Sequence, residues 1–446
     1  MLDTYTLIIG ISSVLIISFF FNIAAKKTNI PSVLMLIALG VIIKEFIPEK
    51  NFDADKIAKL STLEIIGNIG LVMIVLEAAL DLKLSKEKSG LILNSFLVAL
   101  VGLVASTAGI AFLIYYVVPG ANESLFNCIV YAVPLAIMSS AIIIPSVAGL
   151  TGKKKEFMVY ESTFSDILGI MVFFFLIQYH GYETKDVVIG IGLNIIVTCV
   201  VSIILAYVLV FIFQRLTSQV KLFLVIAVLM LMYALGKKFH LSSLLIILAF
   251  GLVLNNTKTF FSGNRLGKLV NEEKVKPILH DFHILTLESA FVIRTFFFVI
   301  FGMFITLSSI FSWNVAIVSL GILVILYVVR FLTLKAVVKR EISPQLYIAP
   351  RGLITILLFF QIGGSSHHDF TIKGFDPGIL LLVVLITSII MTIALITYRG
   401  EKVRDVLFSQ IPKLKKEDGE DDDEDSPNFD KEIEDNVERQ DFNQFQ

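Results

Sequence analysis

Apolar runs of about 16 to 28 residues recur along this chain from Tyr5 to Tyr398, each long enough to cross about 30 Å of hydrocarbon at about 1.5 Å per helical residue. So many runs of that length cannot all be hidden in one soluble core. The chain has 446 residues, 56% hydrophobic and 17% charged, with a mean hydropathy of +0.85; a soluble domain is about 45–50% apolar and about 25% charged. Lipid offers no partner to backbone polar groups, so runs of this length span as helices. Spans are expected at 5–24, 31–47, 61–80, 89–118, 126–150, 157–179, 187–213, 220–236, 241–256, 282–307, 313–338, 344–363 and 377–398. The expected fold is an all-α polytopic membrane protein of about thirteen helices, with residues 1–400 as the transmembrane domain.

Loops that follow odd-numbered spans carry roughly twice the lysine and arginine of the others, which places the N-terminus outside and the C-terminus in the cytoplasm of a cell membrane. Residues 6–24 lack a basic leading region and a small-residue cleavage site, and read as the first span, not a signal peptide. The net charge of −1 sums basic loops and an acidic tail, and carries no footprint for nucleic acid. The tail, 401–446, opens on a short basic segment; from Glu417 it is acidic and too poor in apolar residues to order itself. Cys128 and Cys199 lie in apolar segments and read as small hydrophobes. No cofactor is implied.

An internal repeat is visible. Pro31-Ser-Val-Leu-Met-Leu-Ile-Ala-Leu-Gly40 aligns with Ser242-Ser-Leu-Leu-Ile-Ile-Leu-Ala-Phe-Gly251 at an offset of 211. The aligned spans, second and ninth, are an odd number of crossings apart, so the copies must sit in the membrane with opposite orientation, as in many secondary transporters. The same offset carries Ser139-Ser140-Ala-Ile-Ile-Ile-Pro145-Ser146 onto the region of Pro350-Arg351-Gly352. Proline deep in a span removes a donor and breaks the helix, and broken helices at matching positions of two repeats point to a transport site. Proline and glycine are also simply frequent in membrane helices.

Ionisable residues inside the bilayer are costly and mark function by default. The sixth span reads Tyr160-Glu161-Ser162-Thr163-Phe164-Ser165-Asp166. At about 100° per residue, Ser162 and Asp166 share one face of that helix, and Glu161 and Ser165 an adjacent one. A carboxylate flanked by hydroxyls suits a hard alkali cation, and the same carboxylate can hold a proton instead; one site with two competing occupants is the minimum chemistry of exchange. Asp166 is the expected site for proton and cation. Glu161 would repel it unless paired with a guanidinium; Arg330 is the favoured partner, with Arg294 and Arg351 as the others. Glu77, near the end of the third span, suits hydrogen bonding to a helix terminus as well as function. Glu288, two turns before Arg294, suits pairing with a neighbouring helix. His367-His368-Asp369 reads as a solvated loop.

These residues resemble the cation:proton antiporter superfamily, and in particular its sodium/proton exchanger branch. Glu161-Ser-Thr-Phe-Ser165-Asp166 is similar to that branch's Glu-Ser-Leu-Phe-Asn-Asp; Leu76-Glu77-Ala-Ala-Leu80 is similar to its Phe-Glu-Gly-Gly-Leu; Arg330 and Pro350-Arg351-Gly352-Leu353 fall where it carries membrane arginines. The resemblance covers nearly all of residues 1–400. It implies two inverted repeats with crossed broken helices, elevator-type movement, a homodimer, and sodium or potassium and protons as substrates. It also implies that Asp166 binds the ion with help from Ser162 and the broken fifth span (Ser139, Ser140), and that Glu161 pairs with Arg330. Ser165 stands where the branch has Asn and electrogenic relatives a second Asp; Ser139-Ser140-Ala141 replaces a Thr-Asp-Pro. One titrating carboxylate instead of two implies one-for-one, electroneutral exchange.

Two other classes compete. A ligand-gated potassium efflux pathway uses the same scaffold, but relatives of that kind carry a large nucleotide-binding domain, and the tail has no glycine-rich strand–helix unit. An intramembrane protease needs two cooperating carboxylates, and Glu161 and Asp166 lie on different faces of their helix. The chain is therefore read as a transporter and not an enzyme.

Overall fold

The computed structural model describes residues 4–28, 32–46, 61–150, 152–178, 197, 200–208, 211, 221–238, 243–260, 272–304, 312–338, 342–364, 370–372 and 374–417. Among them every long element is a helix: α1 (Thr4–Thr28), α2 (Ser32–Phe46), α3 (Ser61–Asp81), α4 (Ser89–Val117), α5 (Leu125–Ala136), α6 (Ser140–Ser146), α7 (Gly152–Gln178), α8 (Lys221–Lys238), α9 (Ser243–Asn255), α10 (Glu272–Phe304), α11 (Trp313–Val338), α12 (Leu353–Gly364) and α13 (Gly378–Glu417). Seven apolar stretches of 18 residues or more are long enough to cross a membrane, and Leu222–Gly236 and Ser243–Asn255 are shorter apolar helices. The expected seventh span falls mostly outside the described residues. Residues Met1–Ile396 form one compact unit and Thr397–Gln446 another. The tail was expected from residue 401, whereas α13 is helical to Glu417; residues 418–446 lie outside the described residues.

These helices are apolar on every side, as a chain between lipid and a protein interior must be. In α11, Ile317, Leu320, Val324 and Val328 are exposed while Val318, Ile322, Leu326, Arg330 and Thr333 are buried. Both faces are greasy; Ser319, Arg330 and Thr333 lie on the buried one, and the exposed Asn314 and Lys335 stand near the helix ends.

Two expected spans are not single helices. The fifth, 126–150, divides into α5 and α6, with Ile137 and Ser139 extended. The twelfth, 344–363, is helical only from Leu353; residues 343–347 form turns and 348–352 run without helix. Pro350 cannot donate to a helical ladder and pushes the residue before it towards extended backbone. The two interruptions cross. Ser139 N–H donates to the Pro350 carbonyl at 2.9 Å, a bond between the very residues that the 211 offset equates; the reciprocal bond cannot form because Pro350 has no N–H. A Cβ on Gly352 would sit 2.8 Å from the Ser139 Cβ, so only glycine fits at that point.

The repeat is visible in the packing as well. The offset carries α2 onto α9 and α3 onto the first part of α10. α2 packs along α10, and α9 along α3, so the pairing is reciprocal. Gly40 and Gly302 let α2 and α10 approach backbone to backbone, and Gly251, the repeat partner of Gly40, receives Ala79 and Leu76 of α3. Asp81 meets His283 and Gly70 meets Ile293, so α3 and α10, which the offset equates, run antiparallel.

Helices α1, α2, α3, α8, α9 and α10 pack among themselves, as do α4, α5, α6, α7, α11 and α12. Between the two bundles contact is light, through α3 and α9 against α7, and α3 and α10 against α12.

Candidate functional site

The site is the crossing of the two broken spans and the face of α7 that lies against it. Asp166 is 2% exposed, and its Oδ2 accepts the Ser140 N–H at 3.0 Å. This is an end of α6 where backbone donors have no helical partner. Asp166 Oδ1 has no hydrogen-bond partner among the described residues, nor does Ser139 Oγ. One turn earlier on the same face, Ser162 donates to the Val159 carbonyl at 3.2 Å, which leaves its oxygen lone pairs uncommitted. Ser165 Oγ accepts the Met138 N–H at 3.0 Å and so ties α7 to the break.

The adjacent face of α7 carries the clamp. Arg330 Nη1 and Nη2 donate to the two Glu161 oxygens at 2.7 and 3.1 Å, and the guanidinium also donates to the Gln345 and Leu346 carbonyls. Of the three arginines considered for Glu161, the structure selects Arg330. Arg351 instead donates from Nε to the Leu135 carbonyl and from Nη1 to the Ala349 carbonyl, each at 2.8 Å. A fixed cation there satisfies carbonyls left free at the C-terminal end of α5 and offsets its negative pole. Arg294 pairs with Glu77 at 3.1 Å: of the two readings of Glu77, a partner for a helix terminus or a functional acid, the observed contact is neither helix-terminal nor a test of function, since the acid reaches across to another helix. Glu288 is exposed on α10, and no ion pair engages it among the described residues, so the expected helix–helix pairing is not seen.

Several contributors were not read from the sequence. A cavity of about 30 Å³, room for a water or two, lies between α4, α7 and α11 and is lined in part by Ser106, Met138, Glu161, Ser165, Thr333 and Arg351. Asp166, on the other face of α7, does not line it. The Arg351 N–H donates to Thr387 Oγ1 of α13 at 3.1 Å. Ser140 and Arg351 are equated by the offset, so Thr387 does in the second repeat what Asp166 does in the first. Applied to Asp166 and Thr387 the spacing is 221, not 211, and this ten-residue slip hid the match. Cys128 is buried and its Sγ contacts the Ala121 carbonyl; Cys199 and His367–Asp369 lie outside the described residues.

The profile of the transmembrane sodium/hydrogen exchanger family matches residues 11–398. The chain belongs to that family. It is a multi-pass membrane protein and, by family, a cation/proton antiporter, that is, a transporter. Two solved structures of the sodium proton antiporter MjNhaP1 from Methanocaldococcus jannaschii share its fold. One, determined at pH 8, has a TM-score of 0.66 at 20% identity, covering 87% of this chain and 95% of that one. The other, an electron-microscopy structure, has a TM-score of 0.66 at 20% identity, covering 90% and 97%. No curated protein sequence matches the chain.

Proposed function

We propose that this antiporter exchanges one monovalent cation, sodium or potassium, for one proton, with Asp166 as the site that both occupy in turn. The observation that carries the reading is the pair of oxygens at the crossing, Asp166 Oδ1 and Ser139 Oγ, buried and without a hydrogen-bond partner among the described residues. Buried polar atoms are nearly always satisfied, and a hard cation or a proton is the partner these two lack. Ser162, Ser165 and Ser140 complete the oxygen-rich surroundings. Glu161 is neutralised by Arg330, and Thr387 replaces a carboxylate at the equivalent break, so one titrating group remains; that supports a one-for-one, electroneutral cycle. The solved relative is by name a sodium proton antiporter, which supports sodium as a substrate.

Alternating access takes the elevator form: the α4–α7, α11–α12 bundle carries the site past the α1–α3, α8–α10 bundle, and the light contact between them supports such sliding. The protein works as a homodimer in the cell membrane, N-terminus outside and C-terminus in the cytoplasm, in line with the loop charges.

The test is proton movement in liposomes holding the purified chain, with sodium, potassium or lithium added in turn and the membrane potential clamped. Asp166→Asn removes the titrating group at constant size and is expected to abolish exchange. Exchange by Asp166→Asn at the parent's rate would place the site elsewhere, and ion current without proton coupling would mark a channel.

A further inference from the structure

Among the described residues the membrane domain holds two carboxylate–arginine pairs, and they are built differently. Glu161 and Arg330 share two hydrogen bonds, the guanidinium is held by further backbone carbonyls, and the side chains are 1% and 7% exposed. Nothing can displace that guanidinium without orphaning several groups. Glu77 and Arg294 share a single contact of 3.1 Å, with side chains 11% and 20% exposed. A monodentate, partly open pair is weak and can be exchanged for another partner.

Position gives the loose pair its meaning. Glu77 is on α3 and Arg294 on α10, both in the first bundle, and both helices touch α12 of the second. α3, which carries Glu77, also touches α7, which carries Asp166. A second acid beside the ion site draws cations towards it. A resident guanidinium on that acid is a monovalent cation already in place.

We propose that Arg294 is a tethered competitor for the transported cation: it occupies Glu77 while the site is empty and yields it as an ion approaches Asp166. Arg294 is thus a positioning residue that acts through Glu77 and sets the apparent cation affinity. The proposal rests on Asp166 being the ion site.

The experiment measures sodium-driven proton exchange by the reconstituted full chain, with KM and kcat separated and melting temperatures recorded. Arg294→Gln frees Glu77 and lowers the sodium KM about fivefold, with kcat within about twofold of the parent. Arg294→Lys keeps the charge but loses the guanidinium's reach, and lowers KM about twofold; it carries the test if Arg294→Gln does not fold. In the double variant Glu77→Gln, Arg294→Gln the gain disappears, and KM returns to the parent's range or above. An unchanged or raised KM in both single variants overturns the proposal, as does a low KM that persists without Glu77. A lowered melting temperature at unchanged KM would make the pair a pin between α3 and α10, which also overturns it. Asp166→Asn is assayed alongside: activity there sinks the site assignment, whereas an inactive Asp166→Asn with a KM indifferent to Arg294 sinks only the competitor.

Discussion

Single residues here are separated by how completely their polar atoms are satisfied. Glu161 and Arg330 are saturated, whereas Asp166 and Ser139 each keep a free oxygen. Removing one member of a saturated buried pair leaves an uncompensated charge, at a cost of about 3–5 kcal/mol. Glu161→Gln is therefore expected to lower the melting temperature of the purified protein sharply, and Glu161→Gln with Arg330→Gln to recover part of the loss. Asp166→Asn should instead leave melting near the parent's and remove exchange. If Asp166 holds proton and cation in turn, protons must act as competitive inhibitors: lowering pH on the cation side raises the cation KM while kcat holds, which initial rates over a pH series would check. The Glu161–Arg330 pair was legible because acid and base stood in apolar runs. The Glu77–Arg294 pair was not, since Arg294, Arg330 and Arg351 and the acids Glu77, Glu161, Asp166 and Glu288 allow several pairings until distances are known.

Individual helices owe their ends and their contacts to small residues and prolines. Pro350 ends the extended stretch before α12, and Gly352 admits the crossing strand. The seam between α2 and α10 depends on Gly40 and Gly302, where an added Cβ on either would strike the facing backbone. Backbone cannot step aside as a side chain can, so Gly40→Ala is expected to cost about 1–3 kcal/mol, read as a lower melting temperature. Gly102, whose Cβ would meet nothing, serves as the control: Gly102→Ala should be silent. The eleventh span, 313–338, agrees with α11 because both its ends are marked by polar or charged residues. The fifth and twelfth were read as spans containing breakers; that the fifth splits into two helices and the twelfth is helical only from Leu353 goes with the bond from Ser139 N–H to the Pro350 carbonyl where the two interruptions cross.

At the scale of the whole molecule, the described helices of the membrane domain form two bundles in light contact, with the proposed ion site, Asp166, on α7 of one. A hydrogen bond from Tyr160 of α7 to the Lys83 carbonyl after α3, at 2.6 Å, joins the bundles. If the bundles slide, cysteines placed at 83 and 160 in a chain freed of Cys128 and Cys199 should halt transport when bridged by a short thiol reagent and restore it when reduced. Transport that continues at the parent's rate with the bridge formed would argue against movement of one bundle past the other. Electroneutral exchange has its own signature: turnover in liposomes should not change with an imposed potential, and a rate that rises or falls with voltage would require a second charge in the cycle.

By itself the sequence determined the membrane, the helical class and the repeat, and it singled out the buried acid Asp166 on which the proposed exchange rests. Each of these depends on local facts: run length, an offset preserved along the chain, and the cost of a charge in lipid. Tertiary structure decided that Arg294 serves Glu77, that Ser139 and Pro350 meet, and that Thr387 takes at the second break the hydrogen bond that Asp166 takes at the first. Those include contacts between residues up to 217 positions apart, and apolar helices that tolerate many registers leave them open until packing fixes one.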